Sequence, residues 1–401
     1  MKNNKLTNIL LVLSFIVLVF GSGYKIGEYK SRFNSSLNPK SNALTPNVNF
    51  DLFWETWNKL QERYVDQKKI DPKKMYMGAI KGMVASVEDP YTFFLTPEEN
   101  KQNKDDLNGK FEGIGAQLGL KDNLIIVIAP LKKSPAENAG VKAGDAIVKV
   151  DNVSTKSWTL TQAVSKIRGP KNTKVKLTLE RNSKELEVTI VRQQIIVSSV
   201  EVSYEKNIAI LKVNQFGDNT NDEWNKAVEE ISRKWSGKEI KGLILDLRDN
   251  PGGYLESSVY LASEFLPLGK LIVKQEATLY GVKEYRVTRI GLLKEVPLVV
   301  LINKGSASAS EILAGALRDY NRAQLVGENS FGKGSIQEAL DLKEGAGLHV
   351  TVAKWILPNG DWINSKGIDP KIKVINEVEE GNTITKETDK QLEKAIELLT
   401  K

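Results

Sequence analysis

Gly242-Leu243-Ile244-Leu245-Asp246-Leu247-Arg248-Asp249-Asn250-Pro251-Gly252-Gly253 is the stretch whose reading decides the fold. Its first six residues form a short apolar run closed by a turn sequence, and they read as a buried strand. Outward from it, strands and helices alternate. Ile208–Val213 is a strand, residues 221–235 a helix, residues 255–265 a helix, Leu298–Ile302 a buried strand and Ala309–Asp319 a helix. Strands that cross over through helices make an α/β core.

Upstream, residues 100–194 are mainly strands broken by Gly and Pro. Residues 123–129 are β-rich, and residues 174–180 and 185–191 alternate apolar with polar around Arg181-Asn182-Ser183, a hairpin pattern. Nearer the N-terminus, Leu52, Phe53, Trp57, Leu60 and Tyr64 recur on one helical face. A second helix is expected from Asp71-Pro72 to Val87, with Asp71 as N-cap and Pro72 at the first position. Asp89-Pro90-Tyr91 then turns the chain. Residues 388–399 read as a short amphipathic helix.

Residues 6–20 are almost wholly apolar and follow Lys2 and Lys5, which is a signal peptide or a signal anchor. No small-x-small cleavage site follows, which favours an uncleaved anchor with the body outside the cytoplasm. Residues 31–49 are rich in Asn, Ser and Pro and read as a tether.

The chain has 401 residues, 41% hydrophobic and 27% charged, which suits a globular protein of several domains. Its net charge of +7 is scattered, so no basic surface for nucleic acid is marked; the charge reads as solubility, with some attraction to an anionic membrane surface or wall polymer. There is no cysteine and one histidine, His349. Disulfides, thiol catalysis and two-histidine zinc sites are thereby excluded, and no metal or cofactor is expected. A Ser-His-Asp triad would have to use His349, in the strand-like stretch 348–352.

Two regions carry chemistry. In the first, Gly113-Ile114-Gly115-Ala116 precedes Leu118 and Leu120, Ser134-Pro135-Ala136 opens a helix, and Val141-Lys142-Ala143-Gly144-Asp145 leads into a strand. Two glycines at a strand entrance let N–H groups form a nest for a peptide's terminal carboxylate. The series resembles PDZ domains, whereas ordinary turn punctuation is the simpler account. In the second, the Asn250-Pro251-Gly252-Gly253 turn is joined by Gly305-Ser306-Ala307-Ser308-Ala309-Ser310-Glu311 at a strand-to-helix junction and by Phe331-Gly332-Lys333-Gly334. A serine at a helix N-terminus sits where N–H groups favour an oxyanion. A buried lysine loses its proton readily and can deprotonate that serine.

Other readings of these segments fit less well. Residues 327–333 nearly satisfy a P-loop, with residues 243–246 as a Walker B strand, but Gly334 stands where a Mg²⁺-binding Ser or Thr is needed. Ser330-Phe331-Gly332-Lys333 fits the Ser-x-x-Lys pattern of penicillin-binding proteins, yet the glycines oppose the helix it requires. Residues 306–310 could also be a plain flexible loop.

From about residue 50 to residue 374 the sequence resembles the carboxyl-terminal processing proteases, also called tail-specific proteases. The matching pieces run in family order: Asp89-Pro90-Tyr91-Thr92, Phe111-Glu112-Gly113-Ile114-Gly115, the PDZ series, Leu247 to Gly253, Gly305 to Glu311, Val326-Gly327, Phe331-Gly332-Lys333-Gly334 and Gln337. The resemblance implies an α/β protease core (crotonase/ClpP-like) with an inserted mainly-β PDZ domain and an N-terminal helical subdomain, to which the apolar run at 6–20 adds an N-terminal transmembrane helix. The expected boundaries are a cytoplasmic tip at 1–5, an anchor at 6–24, a linker at 25–49, the helical subdomain at 50–99, the PDZ domain at 100–195, the core at 196–374 and the tail helix at 375–401. It implies Ser308 as nucleophile, Lys333 as general base and Gln337 as the residue orienting that lysine, with an acidic residue at Asp319 held secondary. The oxyanion hole would use the N–H of Ala309 and that of Gly252 or Gly253. Gly113, Ile114, Gly115 and Ala116 would hold a peptide end, and Arg168 would couple peptide occupancy to the core, unless it is a solvated charge at a helix end. Asn172, where a glycine is common, and Lys371, where an acid is usual, depart from the pattern without touching the chemistry.

The expectation is therefore a single-pass bacterial membrane serine endopeptidase, catalytic part extracytoplasmic, acting on peptides or proteins with exposed C-termini, with a homodimer built on the helical subdomain and tail and no nucleic-acid partner. The rival is a PDZ adaptor with an inert core.

Overall fold

A computed structural model of the chain describes residues 48–107, 109–121, 124–131, 133–142, 144–158, 160–279, 281–376 and 388–401. The expected tip, anchor and most of the linker lie outside the described residues. Among the described residues, no helix is long and apolar enough to cross a membrane.

The chain divides into two compact units between Met75 and Tyr76. In the first, helix α1 (Asp51–Arg63) has no buried residue. Phe53, Trp54 and Trp57 touch ring to ring along it. Helix α2 (Pro72–Ala85) starts where Asp71 predicts, with its carboxylate accepting the N–H groups of Lys73 at 2.9 Å and Lys74 at 3.2 Å.

The unit boundary falls within α2, and the larger unit begins at Tyr76. Met77 of α2 packs with Phe94 of β1 (Phe93–Leu95) and with Ala346. Helix α3 (Pro97–Leu107) follows. Strand β2 (Lys110–Gly113) then leads into a β-rich module, and β9 (Gln193–Ile196) leads out, paired antiparallel with it. Between them lie β3 (Ala116–Lys121), β4 (Leu124–Pro130), the short α4 (Pro135–Asn138), β5 (Ala146–Val150), β6 (Val153–Ser154), α5 (Leu160–Ile167), β7 (Lys174–Arg181) and β8 (Lys184–Val191). The sheet order is β3-β4-β5-β7-β8, with β6 on β5. The alternation in the β7 sequence is real: Val175, Leu177 and Leu179 are fully buried in the module's own core.

The rest is α/β. Strand β10 (Val200–Glu205) turns back on β11 (Ile208–Val213), and α6 (Thr220–Ser236) crosses over to β12 (Gly242–Asp246). Next come α7 (Leu255–Ala262), the hairpin β13 (Leu271–Ala277) and β14 (Gly281–Arg286), β15 (Leu298–Ile302), α8 (Ala309–Asp319) and β16 (Gln324–Gly327). The hairpin β17 (Ser335–Asp341) and β18 (Gly347–Ile356), β19 (Ile372–Lys373) and α9 (Lys390–Thr400) complete the chain. One sheet runs β10-β11-β12-β15-β16-β19 and is parallel from β11 onward. A second, antiparallel sheet runs β1-β18-β13-β14, with β17 also on β18.

Each face of the parallel sheet is covered, as continuous apolar strands require. Leu243 and Leu245 of β12 pack toward Trp224, Leu261, Leu313 and Leu317 of α6, α7 and α8. Ile244, between them, packs with Val299, Leu301, Leu392, Ala395 and Ile396 under α9. The turns after β12, β15 and β16 therefore gather at the carboxyl edge of the parallel strands, where open α/β sheets place their ligands.

Candidate active site

The turns after β12 and β15 are laced together by short bonds. Asn303 donates to Asp249 at 2.8 Å, the Ser306 hydroxyl to the Leu247 carbonyl at 2.8 Å, Ala307 N–H to the Asn250 carbonyl at 3.0 Å and the Ser310 hydroxyl to the same carbonyl at 3.0 Å. The result fixes Ser308 at the head of α8 with φ 56° and ψ −114°. A non-glycine residue there carries strain of about 1–3 kcal/mol, the kind of cost found at functional positions.

Glu311 joins Ser308 to Lys333. Its carboxylate is fully buried and takes four donors. One oxygen accepts Ser308 N–H at 2.8 Å and Lys333 N–H at 3.0 Å; the other accepts the Ser330 hydroxyl at 2.5 Å and Gly332 N–H at 2.7 Å. The residues expected as nucleophile and base thus share one oxygen through their backbones. Burial pushes the Lys333 ammonium below the usual lysine range, with Asp89 and Glu311 pulling the other way. Its Nζ stands 4.7 Å over the Tyr91 ring, and no hydrogen bond joins it to Ser308 among the described residues.

The glycine turn comes close to the nucleophile. Gly252 has φ 101°, and a Cβ there would lie 2.8 Å from Ser308 Cβ and 3.1 Å from Ala309 N. Gly252 N–H is taken by the Asn250 side chain at 2.9 Å. Among the described residues, the N–H groups of Gly253 and Ala309 have no hydrogen-bond partner.

In the β-rich module, residues 113–116 link β2 to β3. The Ile114 carbonyl accepts from Ala136 and the Gly115 carbonyl from Leu131, while the N–H groups of Ile114 and Gly115 have no partner among the described residues. Gly115, at φ 71°, has Ser134 so near that any Cβ would collide with it. Arg168, just past α5, pairs with Asp106 at 2.9 and 3.1 Å and lies 4.7 Å over the Phe111 ring. Among the described residues, it makes no hydrogen bond to Ser308, Lys333 or Gln337.

The family model for peptidase family S41 matches residues 207–374, and that for the PDZ domain matches residues 126–181. The carboxy-terminal processing protease CtpA of Bacillus subtilis is 38% identical over 371 residues, which is 90% of this chain and 77% of CtpA. The chain belongs to peptidase family S41. It is a serine-type peptidase of the carboxy-terminal processing kind with a PDZ domain. A model of the N-terminal domain of the activating protease CtpB matches residues 21–99, and CtpB of the same organism is 37% identical over 81% of this chain and 67% of its own length. Among solved structures, a photosystem II D1 C-terminal processing protease shares the fold at TM-score 0.53 and 29% identity, over 82% of this chain and 93% of its own.

The other residues singled out in this peptidase have the following surroundings. Asp319 closes α8 at the end opposite Ser308, about 16 Å away at the helical rise, and is bound by Arg318 and Asn359 N–H, so it cannot reach the nucleophile. Ser330 is buried, donating to Glu311 and accepting from Ile368 N–H at 2.6 Å, which makes it a structural post. Asp246, the Walker B mimic, is paired with Arg248 at 2.7 Å. The Gln337 amide donates to Ser335 at 2.9 Å and Thr351 at 3.0 Å, and among the described residues no hydrogen bond joins it to Lys333. His349 stacks on Phe93 at 4.7 Å; burial first, then the Lys333 charge, push it below the usual histidine range. Glu311 escaped the sequence reading as a site residue, although Ser308-Ala309-Ser310-Glu311 spells a capping box.

Proposed function

We propose that this chain is a membrane-anchored, extracytoplasmic serine endopeptidase that captures peptide ends in its PDZ domain and cleaves with a Ser308–Lys333 dyad. The observation that carries the reading is the single Glu311 oxygen that holds both backbone N–H groups of the dyad. Neutral Lys333 accepts the Ser308 proton as Oγ bonds to the scissile carbonyl carbon. The N–H groups of Ala309 and Gly253 receive the oxyanion, because Gly252 N–H is already occupied. The ammonium then returns its proton to the leaving amine as the C–N bond breaks, and water attacks the ester by the same route to free Ser308. The unpartnered N–H groups of Ile114 and Gly115 support capture of a terminal carboxylate. The apolar run at residues 6–20 supports the anchor, and the uncovered aromatic face of α1 supports a homodimer. An inert PDZ adaptor is not favoured.

Digestion of casein by the full chain in mild detergent, beside Ser308→Ala and Lys333→Ala, tests this across the neutral-to-alkaline range. Cleavage that rises with pH and is lost in both variants is the expected result. Cleavage that persists in Ser308→Ala would remove the nucleophile assignment. Sedimentation of the same preparation, with Trp57→Glu beside it, tests the dimer: the variant is expected to sediment as a monomer.

A further inference from the structure

The turn Asp89-Pro90-Tyr91-Thr92 stands between α2 and β1 and has no part in the mechanism above. It is firmly built. The Asp89 carboxylate accepts the Thr92 hydroxyl at 2.6 Å and Tyr91 N–H at 3.1 Å, and Thr92 Oγ1 accepts Thr351 N–H at 3.0 Å from β18. Thr351 in turn holds the Gln337 amide, so the turn and the proposed orienting residue share one strand position. Burial would raise the Asp89 carboxyl, but the hydrogen bonds from Thr351, Thr92 and Tyr91 N–H, with the Lys333 charge, outweigh it and hold it below the usual carboxylate range. An anion therefore faces Lys333 from this turn, and beside it Tyr91 offers its ring face at 4.7 Å.

We propose that the Asp89–Tyr91 turn is a resting cradle for Lys333, holding it as its ammonium and off Ser308 until substrate draws the side chain across. The inference rests on the reading of Lys333 as the general base and concerns the regulation of that same site. Both attractions, the ring contact and the through-space pull of the Asp89 charge, favour the ammonium over the neutral amine. The cradle thus opposes the step that makes the base. Leaving it frees Lys333 to shed its proton next to the nucleophile. Two other titratable groups face Lys333, Glu311 from α8 and His349 from β18. Glu311 is committed to four donors in either state. Asp89 and Tyr91 are positioning residues, since they act through Lys333.

The test is the pH profile of kcat/KM for the full chain with Asp89→Asn, Tyr91→Leu and Tyr91→Phe, each also made with His349→Gln to remove the imidazole that faces Lys333. Without the cradle the ammonium is less stable, so the acid limb should move to lower pH. The expected shift is about one pH unit, roughly tenfold in rate on the limb, for Asp89→Asn and Tyr91→Leu, with the alkaline plateau within about twofold. Tyr91→Phe keeps the ring face and should keep the parental limb. If Asp89→Asn fails to fold, the Leu and Phe variants at Tyr91 decide alone. A plateau that drops while the limb stays in place would mean a structural role and overturn the cradle. Full activity in Lys333→Ala would instead overturn the dyad beneath it, whereas an inactive Lys333→Ala beside an unmoved limb overturns the cradle only.

Discussion

At the scale of single residues, Glu311 determines whether the site exists. A buried carboxylate with four donors is favourable only while all four are present, because each donor left without an acceptor costs about 1–3 kcal/mol. Glu311→Ala is expected to lower the unfolding free energy by at least about 3 kcal/mol in urea titration and to abolish casein cleavage. Glu311→Gln should also be inactive, since its amide nitrogen would face the N–H groups of Ser308 and Lys333 in one orientation and that of Gly332 in the other. Ser308 and Lys333 were legible as residues because their motifs are local strings. The reach of Glu311 to Ser330, Gly332 and Lys333 was not, because it spans about twenty positions and depends on how β15 and β16 lie side by side. The same holds for Tyr91, whose ring meets Lys333 only after β1 has paired with β18.

Elements whose apolar pattern is dictated by burial on both faces were read nearly to the residue. The strands Ile208–Val213 and Leu298–Ile302 and the helix Ala309–Asp319 have the expected bounds. Strands β13, β14 and β17 were not found. Strands β14 and β17 are exposed or half-exposed and mostly polar, as in Gly281–Arg286, and β13 buries only Ile272 and Val273, so neither period stands out before the partner strand is known. The tail helix shows how one polar pair docks an element. Asp389 caps α9 through Leu392 N–H at 3.0 Å and pairs with part-buried Arg248 at 2.8 Å. Burial pushes its carboxyl up, but Arg248, Leu392 N–H and Asn376 together hold it below the usual range. A depressed carboxylate adds stability above the unfolded value of about 4 and loses it as pH falls through its folded value. Asp389→Asn should therefore cost about 2 kcal/mol at neutral pH, less than for a fully broken pair because Asp246 still holds Arg248. The gap between variant and parent should close on acidification, as followed by circular dichroism.

At the scale of the molecule, the question is how firmly the PDZ domain is held to the protease body. Its covalent ties are the two paired strands β2 and β9, and its polar tie is Arg168 on Asp106 of α3, with Phe111 beneath the guanidinium. The ion pair is part-exposed and contributes under about 1 kcal/mol, and the ring contact adds a similar amount. Such a tie is weak against the protease core, where Leu243, Leu245, Leu261 and Leu313 are wholly enclosed, so the two parts should open independently. Arg168→Ala is expected to speed amide exchange roughly fivefold to tenfold across residues 97–113 and 193–196. Exchange in Gly242–Asp246 should stay unchanged. Exchange that rises equally in β12 would mean that PDZ domain and core open as one cooperative body, and Arg168 would then be holding the whole fold rather than the position of one domain on another.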